Sequence, residues 1–127
     1  MQIHNLVAKT FYATKRARLD IYTSVAFLTT RVRAPDLDNC DKMVHTMRYI
    51  RGTRTLPLIL GANGSNIFKW WMDASFVVHR NMRGNSGGVF SMGRGFPIVS
   101  STKQNINTRS STETELVGAD DFMPAIC

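Results

Sequence analysis

The hydrophobic positions in the first half of the chain recur with the period of an α-helix. Residues 5–18 predict one helix that ends in a basic cluster. The stretch "PDLDNCDKMVHTMRYIRG" predicts another, with Pro35 at its first position and Gly52 as its C-terminal cap. Two apolar stripes indicate buried helix faces: Ile21, Val25, Leu28 and Val32 between these two helices, and Cys40, Val44 and Met47 within the later one.

The second half changes to the period of a β-strand. "LPLIL" is a short apolar run closed by a turn cluster, and "IFKWWMDASFVVH" then alternates between two faces, one of which carries Asp73. "GGVFSMG" and "FPIVSST" complete a predicted three-stranded antiparallel meander. Helices followed by strands and a final helix predict a mixed α+β fold, with a boundary between residues 54 and 55.

The final helix begins within "NTRSSTETELVGADD". Ser110 with Glu113, or Thr112 with Glu115, fits a capping box, in which a hydroxyl and a carboxylate satisfy the first backbone amides. The predicted buried face of this helix consists of Leu116, Ala119 and Met123. At ~100° per residue Glu115 borders that face, whereas Glu113, Asp120 and Asp121 lie about 120–160° away and are predicted to be solvated. Pro124 predicts that the helix ends or kinks near Met123.

The charge, the cysteine count and the lack of a long apolar run indicate which kinds of partner and compartment to expect. The chain has 127 residues and a net charge of +7, and its two cysteines are too few for a disulfide framework. Because no secretory leader and no long apolar run is visible, an intracellular, reducing compartment and no membrane partner are expected. The basic excess is uneven, since no basic residue follows Arg109. A basic body with sparse carboxylates suits a polyanionic partner bound near a cation.

Two of the carboxylates are candidates for that cation site. Asp73 interrupts an aromatic and β-branched run, so it lies at a sheet edge, pairs with a base such as Lys69, or holds a cation. Glu115 is the helical acid able to face a neighbouring strand. A Mg²⁺ ion shared by Asp73 and Glu115 is one hypothesis, and a purely structural acid at Asp73 is the alternative.

The order of several motifs resembles a known family. "WWMDASF", "GNSGGVFSMG", "SSTKQN" and "SSTETELVGADD" are similar to the ribonuclease H domain that closes the polyprotein of Ty1/copia-type retrotransposons. "LVAKTFYATKRARLDIYTSVAFLTTRVRAPD" and "MRYIRGTRTLPLIL" resemble the segment that joins the reverse transcriptase to that domain. The resemblance implies a helical connection segment at residues 1–54 and a partial ribonuclease H-like domain at residues 55–127.

The same resemblance implies an activity and a set of site residues. The family hydrolyses the RNA strand of RNA–DNA hybrids with two Mg²⁺ or Mn²⁺ ions held by four carboxylates. Asp73 matches the first-strand aspartate and Glu115 the first-helix glutamate, with Glu113 as the alternative if the register shifts by two residues. The resemblance implies that the hydroxyls of Ser110, Ser111 and Thr112 contact the minor groove of the hybrid. It implies phosphate contacts for Lys103, Gln104 and Arg109, and the alternative for these three is a solvated surface position.

The sequence departs from this family in one respect that matters for function. No counterpart of the third aspartate and no Tyr-x-Asp-Asp polymerase signature occurs, so the chain is expected to be truncated and incomplete as an isolated endonuclease. Its implied partners are an RNA–DNA hybrid, the remaining reverse transcriptase polypeptide and, through an open sheet edge, a second copy. The cytoplasm is the expected location, with a virus-like particle or the nucleus as alternatives. A non-catalytic nucleic-acid-binding or assembly fragment, or a relic reading frame, remains the alternative function.

Overall fold

The computed structural model describes residues 2–126. The chain divides between Ile59 and Leu60 into two compact units, which we call the helical unit and the sheet unit. The described residues form four α-helices and two small antiparallel sheets, so the mixed α+β class is confirmed. None of the helices within residues 2–126 combines the length and the apolar character that a membrane crossing requires.

The helical unit packs around a small apolar core. Its elements are α1 (Gln2–Ala17), a 3₁₀ turn (Leu19–Ile21), α2 (Tyr22–Thr29) and α3 (Leu37–Gly52). The predicted stripe is confirmed, although Val32 packs against the core only after α2 has ended. The buried apolar residues of this core are Val7, Ile21, Val25, Leu28 and Met43.

The buried face of α3 differs from the predicted one. Cys40 and Val44 are exposed, whereas Met47 is partly buried against the core as predicted. The fully buried residues are Asn39, Met43 and Thr46. Each buried residue lies one position before a predicted one, and one position turns a helix face by ~100°. The apolar pattern missed this face because two of its three residues, Asn39 and Thr46, are polar. The helix also begins later than predicted, since the Asp36 carboxylate accepts a hydrogen bond from the Asn39 amide at 2.8 Å and caps it.

Arg18 ties the start of α2 to the end of α3 within the helical unit. Its guanidinium donates two hydrogen bonds to the Asp20 carboxylate, at 2.8 and 3.0 Å. It also donates to the Thr53 hydroxyl at 2.7 Å and to the Thr53 carbonyl oxygen at 3.2 Å. This fork satisfies four acceptor positions with one planar side chain, a geometry that lysine cannot reproduce.

The Arg18–Asp20 pair makes the stability of the helical unit depend on pH. The hydrogen bonds from Arg18 hold the pKa of Asp20 below its ordinary value of 3.8. The pair therefore stabilises the fold fully above pH 3.8, and its contribution disappears as the pH falls through the lowered folded pKa. Because Asp20 is partly exposed, we expect Asp20→Asn to cost about 0.5–1 kcal/mol at neutral pH.

Thermal unfolding followed by far-UV circular dichroism measures this effect. The difference between the unmodified chain and Asp20→Asn should be present at neutral pH and should shrink in acid, where Asp20 is protonated in both folded and unfolded chains. Asp41→Asn is the matched control, since Asp41 is exposed and forms no ion pair within residues 2–126. A difference that grows as the pH falls would contradict the assigned role of the pair.

The sheet unit is a three-stranded meander with one helix on it. Its strands are β1 (Gly61–Ala62), β2 (Lys69–Ser75), β3 (Asn85–Ser91), β4 (Gly93–Arg94) and β5 (Ile98–Lys103), followed by α4 (Ser111–Ile126). The main sheet has the antiparallel order β2-β3-β5, with Asp73 opposite Gly87 and Gly87 opposite Ser101. The short strands β1 and β4 form a separate pair, whereas "LPLIL" forms no strand.

Helix α4 lies on the main sheet through a stripe that the sequence did not predict. Thr114, Gly118 and Phe122 are buried at i, i+4 and i+8, while Leu116 and Met123 are 72% and 52% exposed. The predicted face of Leu116, Ala119 and Met123 was therefore wrong for its two large members. The helix also continues past Met123 to Ile126, with Pro124 in its last turn.

The reason for the different face is the small size of the sheet residues beneath α4. A Cβ added to Gly118 would lie 3.0 Å from the Ala74 Cβ, and one added to Gly88 would meet the Phe122 ring at 2.8 Å. Close approach of helix and sheet leaves no room for Leu116 or Met123 at the centre of the contact. This approach brings Glu115, which is next to Thr114, over β2.

Candidate functional site

Asp73 lies on an edge strand of the main sheet. Strand β2 pairs with β3 on one side and with no other strand of residues 2–126 on its outer side. The carboxylate is exposed, and its Oδ1 atom accepts a hydrogen bond from the Ala74 amide at 2.9 Å. No basic side chain of the described residues forms an ion pair with Asp73, so the expected pair with Lys69 is not observed. An exposed edge accounts for a charge in this strand without a cation.

The two glutamates at the start of α4 have different surroundings. The Glu113 amide donates to the Ser110 hydroxyl at 3.2 Å, and Glu113 Oε2 accepts from the Arg109 amide at 2.7 Å. Of the two possible capping arrangements, the structure has the one with Ser110 and Glu113. The Glu115 carboxylate, in contrast, has no hydrogen bond or ion pair within the described part of the chain. Glu115 is therefore the glutamate that remains available to a ligand.

Asp73 and Glu115 are both among the residues that line one depression between β2 and α4. The depression has a volume of about 330 Å³, and no basic residue lines it. Two acids beside a concave surface make the local potential negative, so the site attracts cations. The lining residues are Met72, Asp73, Ala74, Glu115, Gly118 and Ala119.

The number of ligands limits what this depression can bind. Residues 2–126 contain no group of three or more His, Cys, Asp or Glu side chains that could hold a metal ion together. Asp121 does not join the pair, because its carboxylate accepts a hydrogen bond from the Ser86 hydroxyl at 2.7 Å. Two carboxylates are too few for a rigid two-ion site, and a single hydrated Mg²⁺ or Mn²⁺ ion is the most that this number of ligands supports.

The residues expected to contact nucleic acid lie at the start of α4 and at the end of β5, and one of them is buried. Arg109, Ser110, Ser111 and Thr112 are exposed near the start of α4, and Lys103 ends strand β5. The buried residue is Gln104, which is only 1% exposed. Its amide nitrogen donates to the Ser86 hydroxyl at 3.0 Å and to the Thr114 carbonyl oxygen at 2.9 Å. Gln104 is therefore out of reach of a phosphate. Both the predicted phosphate contact and the alternative of a solvated surface position are wrong for this residue.

A buried polar network around Gln104 was missed by sequence reasoning. Ser86 accepts from Gln104 and donates to Asp121, so one hydroxyl joins β3 to α4 and to the residue that follows β5. Asp121 is exposed, as predicted, but its carboxylate also accepts the Ser86 hydroxyl and so links α4 to the sheet. The available signal was the set of small residues on β2 and β3, which permits a helix to approach closely enough for short polar side chains to meet.

No protein-family model, curated protein or solved structure matches this chain. The resemblance to the Ty1/copia ribonuclease H domain consequently rests on the order of the motifs alone. The geometry of the depression is the independent observation that bears on its chemistry.

Proposed function

We propose that this chain is the ribonuclease H-type portion of a retrotransposon polyprotein, which contributes Asp73 and Glu115 to metal-assisted hydrolysis of the RNA strand of RNA–DNA hybrids. One observation supports the proposal above all. Asp73 of β2 and Glu115 of α4 line the same depression, while the competing glutamate, Glu113, is engaged in capping α4.

A Mg²⁺ or Mn²⁺ ion, when bound, supplies Lewis-acid activation of water and of phosphate oxygens. The side chains of this chain that would hold it are Asp73 and Glu115. Asp73 already accepts the Ala74 amide through Oδ1, which fixes its orientation and leaves Oδ2 for a ligand. Because the family resemblance implies four carboxylates, we assign the other two to the remaining reverse transcriptase and ribonuclease H polypeptide, which makes the depression a half-site.

The surface beside this half-site has the donors that a hybrid requires. Ser111 and Thr112 present exposed hydroxyls one turn before Glu115, where they can recognise the 2′-hydroxyls that distinguish RNA from DNA. Arg109 and Lys103 are the candidate phosphate contacts. Ser110 is less available, since its hydroxyl accepts from the Glu113 amide.

Cleavage of a labelled hybrid tests the proposed activity. The chain, supplemented with the remaining reverse transcriptase and ribonuclease H polypeptide, should cut the RNA strand of a hybrid in Mg²⁺ or Mn²⁺ and leave an all-DNA duplex intact. Asp73→Asn should lower the rate at least 100-fold, on the order of what loss of a metal-positioned group costs. Glu113→Gln is the matched control and should retain activity. Normal turnover by Asp73→Asn would contradict the proposal.

A second candidate function, a non-catalytic nucleic-acid-binding or assembly fragment, is favoured by the distribution of charge. The helical unit has ten basic and four acidic residues, a net charge of +6, whereas the sheet unit has six basic and five acidic residues, a net charge of +1. The polyanion-binding character therefore belongs to the unit without the carboxylate depression. Assembly through the outer edge of β2 would appear as concentration-dependent oligomers in sedimentation velocity.

A further inference from the structure

The outward side of α1 carries a compact set of polar and basic side chains. Val7, Thr10 and Thr14 are buried and define the side of α1 that packs into the helical unit. At ~100° per residue, the opposite side is an arc of about 60°. The exposed residues on this arc, which we call the outer face of α1, are Asn5, Lys9, Tyr12 and Arg16.

The outer face has no opposing charge. None of the residues in α1, "QIHNLVAKTFYATKRA", is acidic. The two ion pairs of residues 2–126 use Arg18 and Lys42, so no carboxylate there neutralises Lys9 or Arg16. A solvated helix usually mixes charges of both signs at i and i+4, which stabilises it. The outer face lacks this stabilisation, because Lys9 and Arg16 have no acidic partner on α1.

Tyr12 is held in an orientation suited to a ligand. It is 66% exposed, and the Arg16 guanidinium carbon lies 5.3 Å from its ring centroid. This contact restricts both side chains while their donor groups stay in solvent. Lys9 and Arg16 are about 10 Å apart along the helix axis, at 1.5 Å per residue. Two cations at this separation can contact different phosphates of one nucleic-acid strand.

We propose that the outer face of α1 is a docking surface for the phosphate backbone of a nucleic acid, with Lys9 and Arg16 on phosphates and Asn5 and Tyr12 as hydrogen-bond donors. This inference deepens the second candidate function and does not depend on hydrolysis at Asp73 and Glu115. Contacts of this kind go to the backbone, so binding is independent of base sequence. The net charge of +6 on the helical unit supplies the long-range attraction.

The chemistry of the face favours a nucleic acid over a membrane. A helix that lies on a lipid surface inserts an apolar side between the headgroups and keeps its cations at the border. Val7 of α1 is only 2% exposed, and Leu6, which is 40% exposed, lies outside the outer face. Tyr12 is the single large apolar body on the outer face, and its hydroxyl is a donor of the kind found at phosphates.

Fluorescence anisotropy of a short labelled RNA–DNA hybrid tests the docking surface. The measurement is made in EDTA, so that a failure of the metal half-site cannot imitate a failure of α1. The double variant Lys9→Gln with Arg16→Gln should lose at least tenfold in affinity. Its slope of log K against log salt should fall by nearly two, since each phosphate contact contributes ~0.9. Lys9→Arg with Arg16→Lys should bind as the unmodified chain does.

The matched control is Arg33→Gln with Arg48→Gln. It removes two exposed charges from other parts of the helical unit and should cost less than threefold. Equal losses in the two double variants would overturn the proposal, because net charge would then explain them. Stronger binding to phosphatidylserine vesicles than to the hybrid, lost in the α1 double variant, would also overturn it.

A second measurement needs no variant. Acetylation of the unmodified chain, read by mass spectrometry, should be slower at Lys9 when the hybrid is present and unchanged at Lys42, which is paired with Asp38 on α3. Equal protection of both lysines, or protection of neither at saturating hybrid, would contradict the assigned surface. Circular dichroism of each variant verifies that α1 is intact.

Discussion

Phe122→Ala should destabilise the sheet unit by about 3–5 kcal/mol, the usual range for removal of a buried phenylalanine. Phe122 is 6% exposed, and its ring lies over Gly88, where no Cβ separates it from the sheet. The truncation leaves a cavity that the rigid strands cannot fill. It also removes the largest apolar side chain that holds α4 in place, so the effect on the position of Glu115 should be correspondingly large.

Urea unfolding followed by tryptophan fluorescence measures the loss in the free energy of unfolding of the sheet unit. Both tryptophans, Trp70 and Trp71, belong to β2, whereas all three tyrosines are in the helical unit. Leu116→Ala is the matched control, since Leu116 lies on the same helix but is 72% exposed, and its change should stay within about 0.5 kcal/mol. A larger loss for Leu116→Ala than for Phe122→Ala would contradict the observed buried stripe of α4.

Asp73→Asn should weaken binding of Mn²⁺ to the chain at least tenfold. Two carboxylates and retained waters predict a dissociation constant on the order of 1 mM for the unmodified site. Loss of one charged oxygen ligand leaves a single carboxylate, which holds a divalent ion no better than an ordinary exposed acid does. Glu115→Gln should have a comparable effect, and the double variant should add little, because either ligand alone is insufficient.

Electron paramagnetic resonance of free Mn²⁺ measures this affinity directly. Glu113→Gln provides the control, since it changes the same net charge two residues from Glu115 while the Glu113 carboxylate is occupied by the Arg109 amide. Equal losses for Glu113→Gln and Glu115→Gln would show that overall charge, and no specific ligand set, attracts the ion. Phe122→Ala should also weaken Mn²⁺ binding, because Glu115 reaches the depression only through the docking of α4.

Apolar core positions around α2 were predicted correctly from the sequence, whereas buried polar positions were not. Ile21, Val25 and Leu28 were predicted correctly because large apolar side chains at helical spacing have one low-energy location, the core. Asn39, Thr46 and Gln104 were missed, since burial of a polar side chain depends on partners that are distant in the sequence. Because the burial of Asn39 was not predicted, Cys40 was assigned to the buried side of α3, although it is exposed.

The amino-acid pattern was sufficient to predict the periods of the elements, the α+β class, and Asp73 and Glu115 as the candidate acids. Those properties follow from local geometry, in which each residue type has a preferred period and cap. Three features became visible only in the folded chain: the side of α4 that faces the sheet, the glutamate that caps this helix, and the depression that Asp73 and Glu115 both line. These outcomes depend on how closely α4 can approach β2 and β3, and that distance is set jointly by Ala74, Gly88 and Gly118.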